Sequence, residues 1–322
     1  MLYFKPSSTP FILMMVLGSL ISISSNSWFP IWLGMEMNIL GFVPLIIDKK
    51  NIFSVEAAIK YFIIQSISSS LLILMTIQNN LMLTAQNLIN LALLTKIGAA
   101  PFHFWVPTLV EAMNWTNIIL ILTWQKLAPL IILTLNFNNQ LMMNFSLIMS
   151  LIFGSLGGLN QTSIKKILAF SSIAHLGWLL AAILMSMNML LVYFVLYSLS
   201  LILTIFISNK SKMNNLNKTF MLEKKSKLML YLTMLNMGGM PPLLGFFPKL
   251  FIIMYLIKTN YFFMCLILMN SAIINLFFYL RLTYTTLNIN NLTKKNNLKL
   301  KKFSPTLINL IMLSGPLTII FI

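Results

Sequence analysis

Eleven largely apolar stretches run along this chain, near residues 9–25, 28–47, 54–77, 81–99, 116–134, 142–158, 167–185, 188–208, 228–257, 261–284 and 303–322. Helices of about 20 apolar residues cross the roughly 30 Å hydrocarbon core of a bilayer, and the backbone of such a span must satisfy its own hydrogen bonds. Only 8% of the 322 residues are charged and 58% are hydrophobic, against about 25% charged in soluble domains. The chain is therefore read as an all-α, polytopic membrane protein of about eleven transmembrane helices, a single domain over 1–322. The first run follows Lys5 with no small-residue cleavage pattern, so it is expected to be a mature helix rather than a removed signal.

Two runs carry helix breakers. The ninth is too long for one straight span and contains Gly238-Gly239-Met240-Pro241-Pro242, while the fourth ends at Gly98-Ala99-Ala100-Pro101. Proline removes an N–H donor and clashes with the preceding turn, so helices broken near 97–101 and 238–242 are expected. The breaks lie five spans apart, as in two five-helix repeats. An odd number of spans per copy makes such repeats inverted, and paired broken helices mark transport paths in secondary transporters.

Loop charge sets the orientation. Counting the N-terminal tail as loop zero, the even loops hold sixteen lysines (Lys5, Lys49, Lys50, Lys165, Lys166, six within 210–227 and five within 294–302), and the odd loops hold only Lys258. The positive-inside rule then places the N-terminus and even loops on the cytoplasm-equivalent side and the C-terminus opposite. These lysines account for a net charge of +17 as orientation signals and contacts with anionic lipid, without invoking nucleic acid. Twenty-one of 22 basic residues are lysines, Arg281 being the sole arginine; this has no folding explanation and resembles the codon bias of AT-rich mitochondrial genomes.

Four charges sit alone inside spans or beside their breaks: Glu36, Lys96, Lys126 and Lys249. Each would cost roughly 2.5–3.5 kcal/mol at the bilayer centre, so they are expected to face a protein interior or a hydrated path and to handle ions or protons. Desolvation disfavours the charged form of either group and an opposite charge restores it, which makes their protonation switchable by moving a partner. A static buried ion pair, or a lysine reaching the headgroups, is the plainer alternative. Glu56 and Lys60 are spaced to pair along one helix face, leaving Lys60 as an interfacial ion pair or a relay. His175, within the seventh span, is either a relay group or a packing histidine. His103 and the aromatic stretch Phe102 to Val106 suit a structural role at the first break. One cysteine, Cys265, and two histidines exclude an internal disulfide, a Cys-ligated iron–sulfur cluster and a multi-haem or haem–copper site. Glycine-rich nucleotide loops and zinc motifs are absent from the sequence.

The strings SNSWFPIWLGMEMN (25–38), VEAAIKYF (55–62), TKIGAAPFHFWVP (95–107), TWQKLAPL (123–130), GGLNQTSIKKILAFSSIAHLGW (157–178), GGMPPLLGFFPK (238–249) and FYLRLTY (278–284) resemble, in order, the subunit 2 family of mitochondrial NADH:ubiquinone oxidoreductase, an antiporter-like family of the respiratory complex I membrane arm. The likeness covers about 20–285, and eleven spans fit the shortened animal form, with an invertebrate source expected. It implies a proton-translocating subunit of the H+-pumping NADH:ubiquinone reductase in the mitochondrial inner membrane, with the N-terminus on the matrix side and the C-terminus in the intermembrane space. Glu36 would pair with Lys96, and Lys126 would pass protons on toward Lys249. No cofactor would be bound by this chain; NADH, FMN, iron–sulfur clusters and ubiquinone would be used by the whole complex. Its partners would be other membrane-arm subunits and an anionic lipid such as cardiolipin. A stand-alone cation/proton antiporter of the same superfamily, or a purely structural membrane subunit, are the competing readings.

Overall fold

The computed structural model describes residues 8–48, 51–77, 82–136, 140–210 and 224–288, and these form thirteen α-helices with no strand among them. They are α1 (Thr9–Ser24), α2 (Trp28–Ile46), α3 (Ile52–Ile77), α4 (Met82–Ile97), α5 (Trp105–Ala112), α6 (Trp115–Leu122), α7 (Trp124–Leu135), α8 (Gln140–Leu159), α9 (Ile164–Met185), α10 (Met187–Lys210), α11 (Lys224–Gly238), α12 (Phe246–Lys258) and α13 (Phe262–Asn288). The all-helical class holds. The count of eleven spans is not confirmed: among the described residues seven segments are long and apolar enough to cross a membrane, and α1 is a shorter apolar helix. The span expected at 303–322 lies outside the described residues, as do Lys212 and Lys218 and all of the lysines at 294–302.

The chain divides into two compact units, Met1–Ser150 and Leu151–Ile322, the division falling inside α8. In the first, α1 packs along α2, α2 along α3, and α4 against α3 and α7. Small residues permit the α1–α2 contact: a Cβ on Gly18 would sit 2.6 Å from the Gly34 carbonyl oxygen, one on Gly34 2.6 Å from the Gly18 carbonyl oxygen, and one on Gly41 2.7 Å from the Phe11 carbonyl oxygen. Lipid supplies no hydrophobic drive between helices, so close backbone approach of this kind carries much of their association. In the second unit α9 is the innermost helix, with 89% of its apolar window buried, flanked by α10, α12 and α13.

Both expected breaks are present and are built alike. At the end of α4, Gly98 has φ +77°, its N–H bonds the Thr95 carbonyl, and the Ala99 N–H bonds the Leu94 carbonyl. At the end of α11, Gly239 has φ +79°, its N–H bonds the Asn236 carbonyl, and the Met240 N–H bonds the Leu235 carbonyl. Each is a Schellman cap, which needs the left-handed conformation that glycine adopts without strain, and each has a proline three residues further on. A third break was not anticipated. The run 116–134 is two helices, α6 and α7, interrupted at Thr123, whose hydroxyl donates to the Ile119 carbonyl at 2.6 Å.

Candidate functional site

The first unit holds Glu36, Lys96 and Lys126. Lys96 closes α4, two residues before Gly98, and is only 5% exposed. Its ammonium has no hydrogen-bond partner. Glu36, half-buried on α2, lies within electrostatic reach of both Lys96 and Tyr61. Glu36 and Lys96 form no ion pair within 4 Å, whereas Lys60 and Glu56 do, at 2.5 Å. Lys126 is buried in the first turn of α7, three residues past the Thr123 break.

Around Lys96 the structure places polar groups whose role was not evident from sequence. The Tyr61 hydroxyl donates to Gln125 Oε1 at 3.3 Å, and Gln125 Nε2 donates to Asn38 Oδ1 at 3.0 Å. Gln65 Nε2 donates to the Lys96 carbonyl at 3.2 Å. Asn38, Tyr61, Gln65, Lys96 and Gln125 line a cavity of about 20 Å³. Asn38 and Gln125 stand beside Glu36 and Lys126 in the quoted strings, so uncharged polar residues inside apolar runs were the available signal.

The second unit holds Lys249 and His175. Lys249, in the first turn of α12, donates to the carbonyls of Met237 (3.1 Å) and Gly238 (2.9 Å). Those are the last carbonyls of α11, where a helix leaves acceptors unsatisfied and its macrodipole presents the negative end. The ammonium also lies 5.6 Å from the centroid of the Trp178 ring, within cation–π range. Asn236 ties the break from the other side, its Oδ1 accepting the Gly245 N–H at 2.8 Å. His175 Nδ1 is 2.8 Å from the Tyr193 hydroxyl, and its ring lies 4.8 Å from that of Tyr197. His175 and Lys249 line one small, mostly apolar cavity of about 10 Å³ with Tyr193, Tyr197, Ser200 and Asn236.

The remaining candidates lie apart from these centres. Lys60 is half exposed on α3, held by Glu56, beside a wider cleft lined by Asn51, Phe53, Thr108 and Glu111. His103 is buried in the first break and stacks on Phe104, 4.3 Å between ring centroids. No group of three or more His, Cys, Asp or Glu side chains suited to a metal ion occurs among the described residues.

The sequence matches the family model described as NADH:quinone oxidoreductase/Mrp antiporter, transmembrane, over residues 25–78 and 73–275. NADH-ubiquinone oxidoreductase chain 2 of Anopheles gambiae is 42% identical over 329 residues, 97% of this chain and 96% of that protein. The protein of the same name from Ovis aries is 38% identical over 90% of this chain and 88% of its own length. In fold, a chain of respiratory complex I from Thermus thermophilus with bound aureothin superposes with a TM-score of 0.83 at 19% identity, covering 98% of this chain and 78% of that one. A chain of the membrane-bound sulfane sulfur reductase, an archaeal respiratory membrane complex, gives 0.83 at 17% identity, covering 99% and 75%. A match this long to the family model, with relatives aligned nearly end to end, establishes that the chain belongs to the NADH:quinone oxidoreductase/Mrp antiporter transmembrane family, alongside the proteins named NADH-ubiquinone oxidoreductase chain 2.

Proposed function

We propose that this chain is the antiporter-like chain 2 of mitochondrial NADH:ubiquinone oxidoreductase and provides part of the proton path across the inner membrane. NADH oxidation and ubiquinone reduction, with FMN and iron–sulfur clusters, belong to other subunits of the complex. Its neighbours are other membrane-arm subunits, and cardiolipin-type anionic lipid contacts its lysine-rich loops. The whole chain acts as one proton-translocating domain.

The observation that carries this reading is Lys96: a buried ammonium without a hydrogen-bond partner, at a helix break, in the field of Glu36. An ion held only by a field changes its protonation when that field changes, because desolvation and a neighbouring charge act on it with opposite sign. Weakening the Glu36 interaction favours proton release from Lys96 to Lys126, and restoring it reloads the site. Lys249, held by backbone carbonyls, is the farther station of the path, and His175 an intermediate one. A stand-alone antiporter is disfavoured, since the relatives aligned over nearly the whole chain carry the oxidoreductase name.

Lys126→Met keeps the approximate length of the side chain and removes its titratable group. In an assembled complex it lowers NADH-driven proton pumping, measured as protons moved per NADH in proteoliposomes. Full stoichiometry in that variant overturns the proposal.

A further inference from the structure

We infer that Gln125 is a positioning residue, which holds a single internal water on Lys96 by bridging Asn38 and Tyr61. The inference rests on the proton-path reading above and assigns a role within it that neither the charged residues nor the family likeness supplies.

Three helices meet at the Gln125 side chain. It is borne by α7, its oxygen accepts from Tyr61 of α3, and its nitrogen donates to Asn38 of α2. Both ends of the amide are therefore engaged, which fixes its rotamer and which end faces which helix. Tyr61 is itself locked: it is 1% exposed, its ring meets Phe42 edge-on at 5.2 Å, and it lies 6.1 Å from Trp105. Gln65 holds the Lys96 backbone from the α3 side. Pro129, one turn after Gln125, has no N–H to offer the Gln125 carbonyl, and it lines the same cavity.

The cavity enclosed by these groups measures about 20 Å³, and a water needs about 10–15 Å³ with two to four polar partners. The Lys96 ammonium is a donor with no acceptor in the protein. The Tyr61, Gln125 and Asn38 oxygens each accept at most one hydrogen bond in the bridge, so each retains acceptor capacity. One water accepting from Lys96 and donating to two of these oxygens gives one of the three ammonium N–H groups an acceptor and uses the remaining acceptor capacity of both oxygens. An amide does not carry protons; it holds the carrier. A proton leaving Lys96 breaks an Nζ–H bond and forms a third O–H bond on this water; the water then turns one O–H away from its oxygen acceptor and gives that proton to a neutral Lys126 amine, where an N–H bond forms and the water is restored.

The test uses the intact complex. A high-resolution map of the wild type should show one water within about 3 Å of Lys96 Nζ and of a Gln125, Tyr61 or Asn38 oxygen; a dry cavity overturns the inference. In Gln125→Met, which keeps the bulk and removes both polar ends, that water should be absent while α4 and α7 keep their places, and protons moved per NADH should fall to the level seen in Lys96→Met. Unchanged pumping, or a water retained, overturns it. If Gln125→Met does not assemble, Tyr61→Phe removes a single oxygen and is read the same way. Lys96→Met separates the two claims: normal pumping in Lys96→Met defeats the proton-path reading itself, whereas lost pumping there with normal pumping in Gln125→Met defeats only the role given to Gln125.

Discussion

At the scale of single residues, the sole arginine shows why a lysine-biased sequence retains one. Arg281 of α13 donates from one terminal nitrogen to the Leu159 carbonyl and from the other to the Gln161 carbonyl, at 2.9 Å for the latter. Leu159 is the last residue of α8, where carbonyls lack helical partners, and Gln161 follows it in the connection to α9. Two diverging acceptors suit the planar fork of a guanidinium, and an ammonium is a single compact point that cannot span them equally. Arg281→Lys should therefore lose one charged hydrogen bond, about 1.5–3 kcal/mol, seen as a lower melting temperature of the assembled complex without a change in the Lys96 region. Gly239→Ala combines two penalties: its φ of +79° disfavours a side chain by roughly 1–2 kcal/mol, and the new Cβ would lie 3.0 Å from Lys249 Nζ. It should depress pumping more than Gly238→Ala, whose Cβ meets nothing closer than 3.5 Å; equal pumping in the two variants would refute this. The charged candidates were legible in the sequence because an isolated charge in an apolar run is too costly to persist without a partner or a task. Asn38, Tyr61 and Gln125 were not, because an uncharged polar side chain in a membrane helix bonds to whatever the tertiary structure brings near it. Several buried serines here bond a carbonyl of their own helix, as Ser146 and Ser150 do.

At the scale of elements, breaks written in Gly and Pro were readable and the one written in Thr was not. The pairs Gly98/Pro101 and Gly239/Pro242 announce a left-handed cap followed by a residue unable to continue a helix. Thr123 has ordinary negative φ, −117°, and its side chain only competes locally for a carbonyl that the helix would otherwise use. All three breaks share one consequence. Each lies within three residues of Lys96 or Lys126, or is spanned by the hydrogen bonds of Lys249, so carbonyls released from helical pairing are available where a cation must be tolerated. The α1–α2 contact was equally silent in the sequence, since an approach of this closeness needs the facing glycines of both helices and neither alone predicts it. Gly34 lies two residues before Glu36, so this contact also sets the position of the carboxylate. Gly34→Leu should force the helices apart at an overpacking cost of about 1–3 kcal/mol or more. Assembly on native gels should fall, whereas Leu33→Ala, at an outward-facing position 36% exposed, should leave it intact. Normal assembly of Gly34→Leu would show that α1 is dispensable for placing α2.

At the scale of the whole molecule, the lysine distribution and the helix dipoles pull in opposite directions, which makes orientation testable. Lys165 and Lys166 fall in the first turn of α9, and α11 opens with Lys224. A helix N-terminus presents the positive end of its dipole, so cations there are disfavoured by about 0.3–1 kcal/mol each at exposed sites. Lys49 and Lys50 similarly precede the start of α3. No gain in helix stability accounts for placing lysines at these starts. Retention of lysine on one face of the membrane does account for it, with anionic lipid there contributing about 1 kcal/mol per basic residue. The loop at 210–227 should accordingly face the matrix. Protease added to mitoplasts should leave that loop intact, and protease added to inverted inner-membrane vesicles should cut it. Cleavage in mitoplasts would reverse the orientation and, with it, the side from which protons reach Lys96. The exposed side chains of α3 and α13, among them Ile63, Ile67, Leu266 and Ile273, give the protein broad apolar faces. Among them the Glu56–Lys60 pair is exposed and charged, and lipid at membrane depth would solvate it poorly. A neighbouring polar surface or the headgroup layer must therefore cover the pair. Cross-linking from a photoreactive residue at position 63 should capture another membrane-arm subunit or lipid at the matrix side, and capture of a protein confined to the intermembrane space would contradict the same orientation by an independent route.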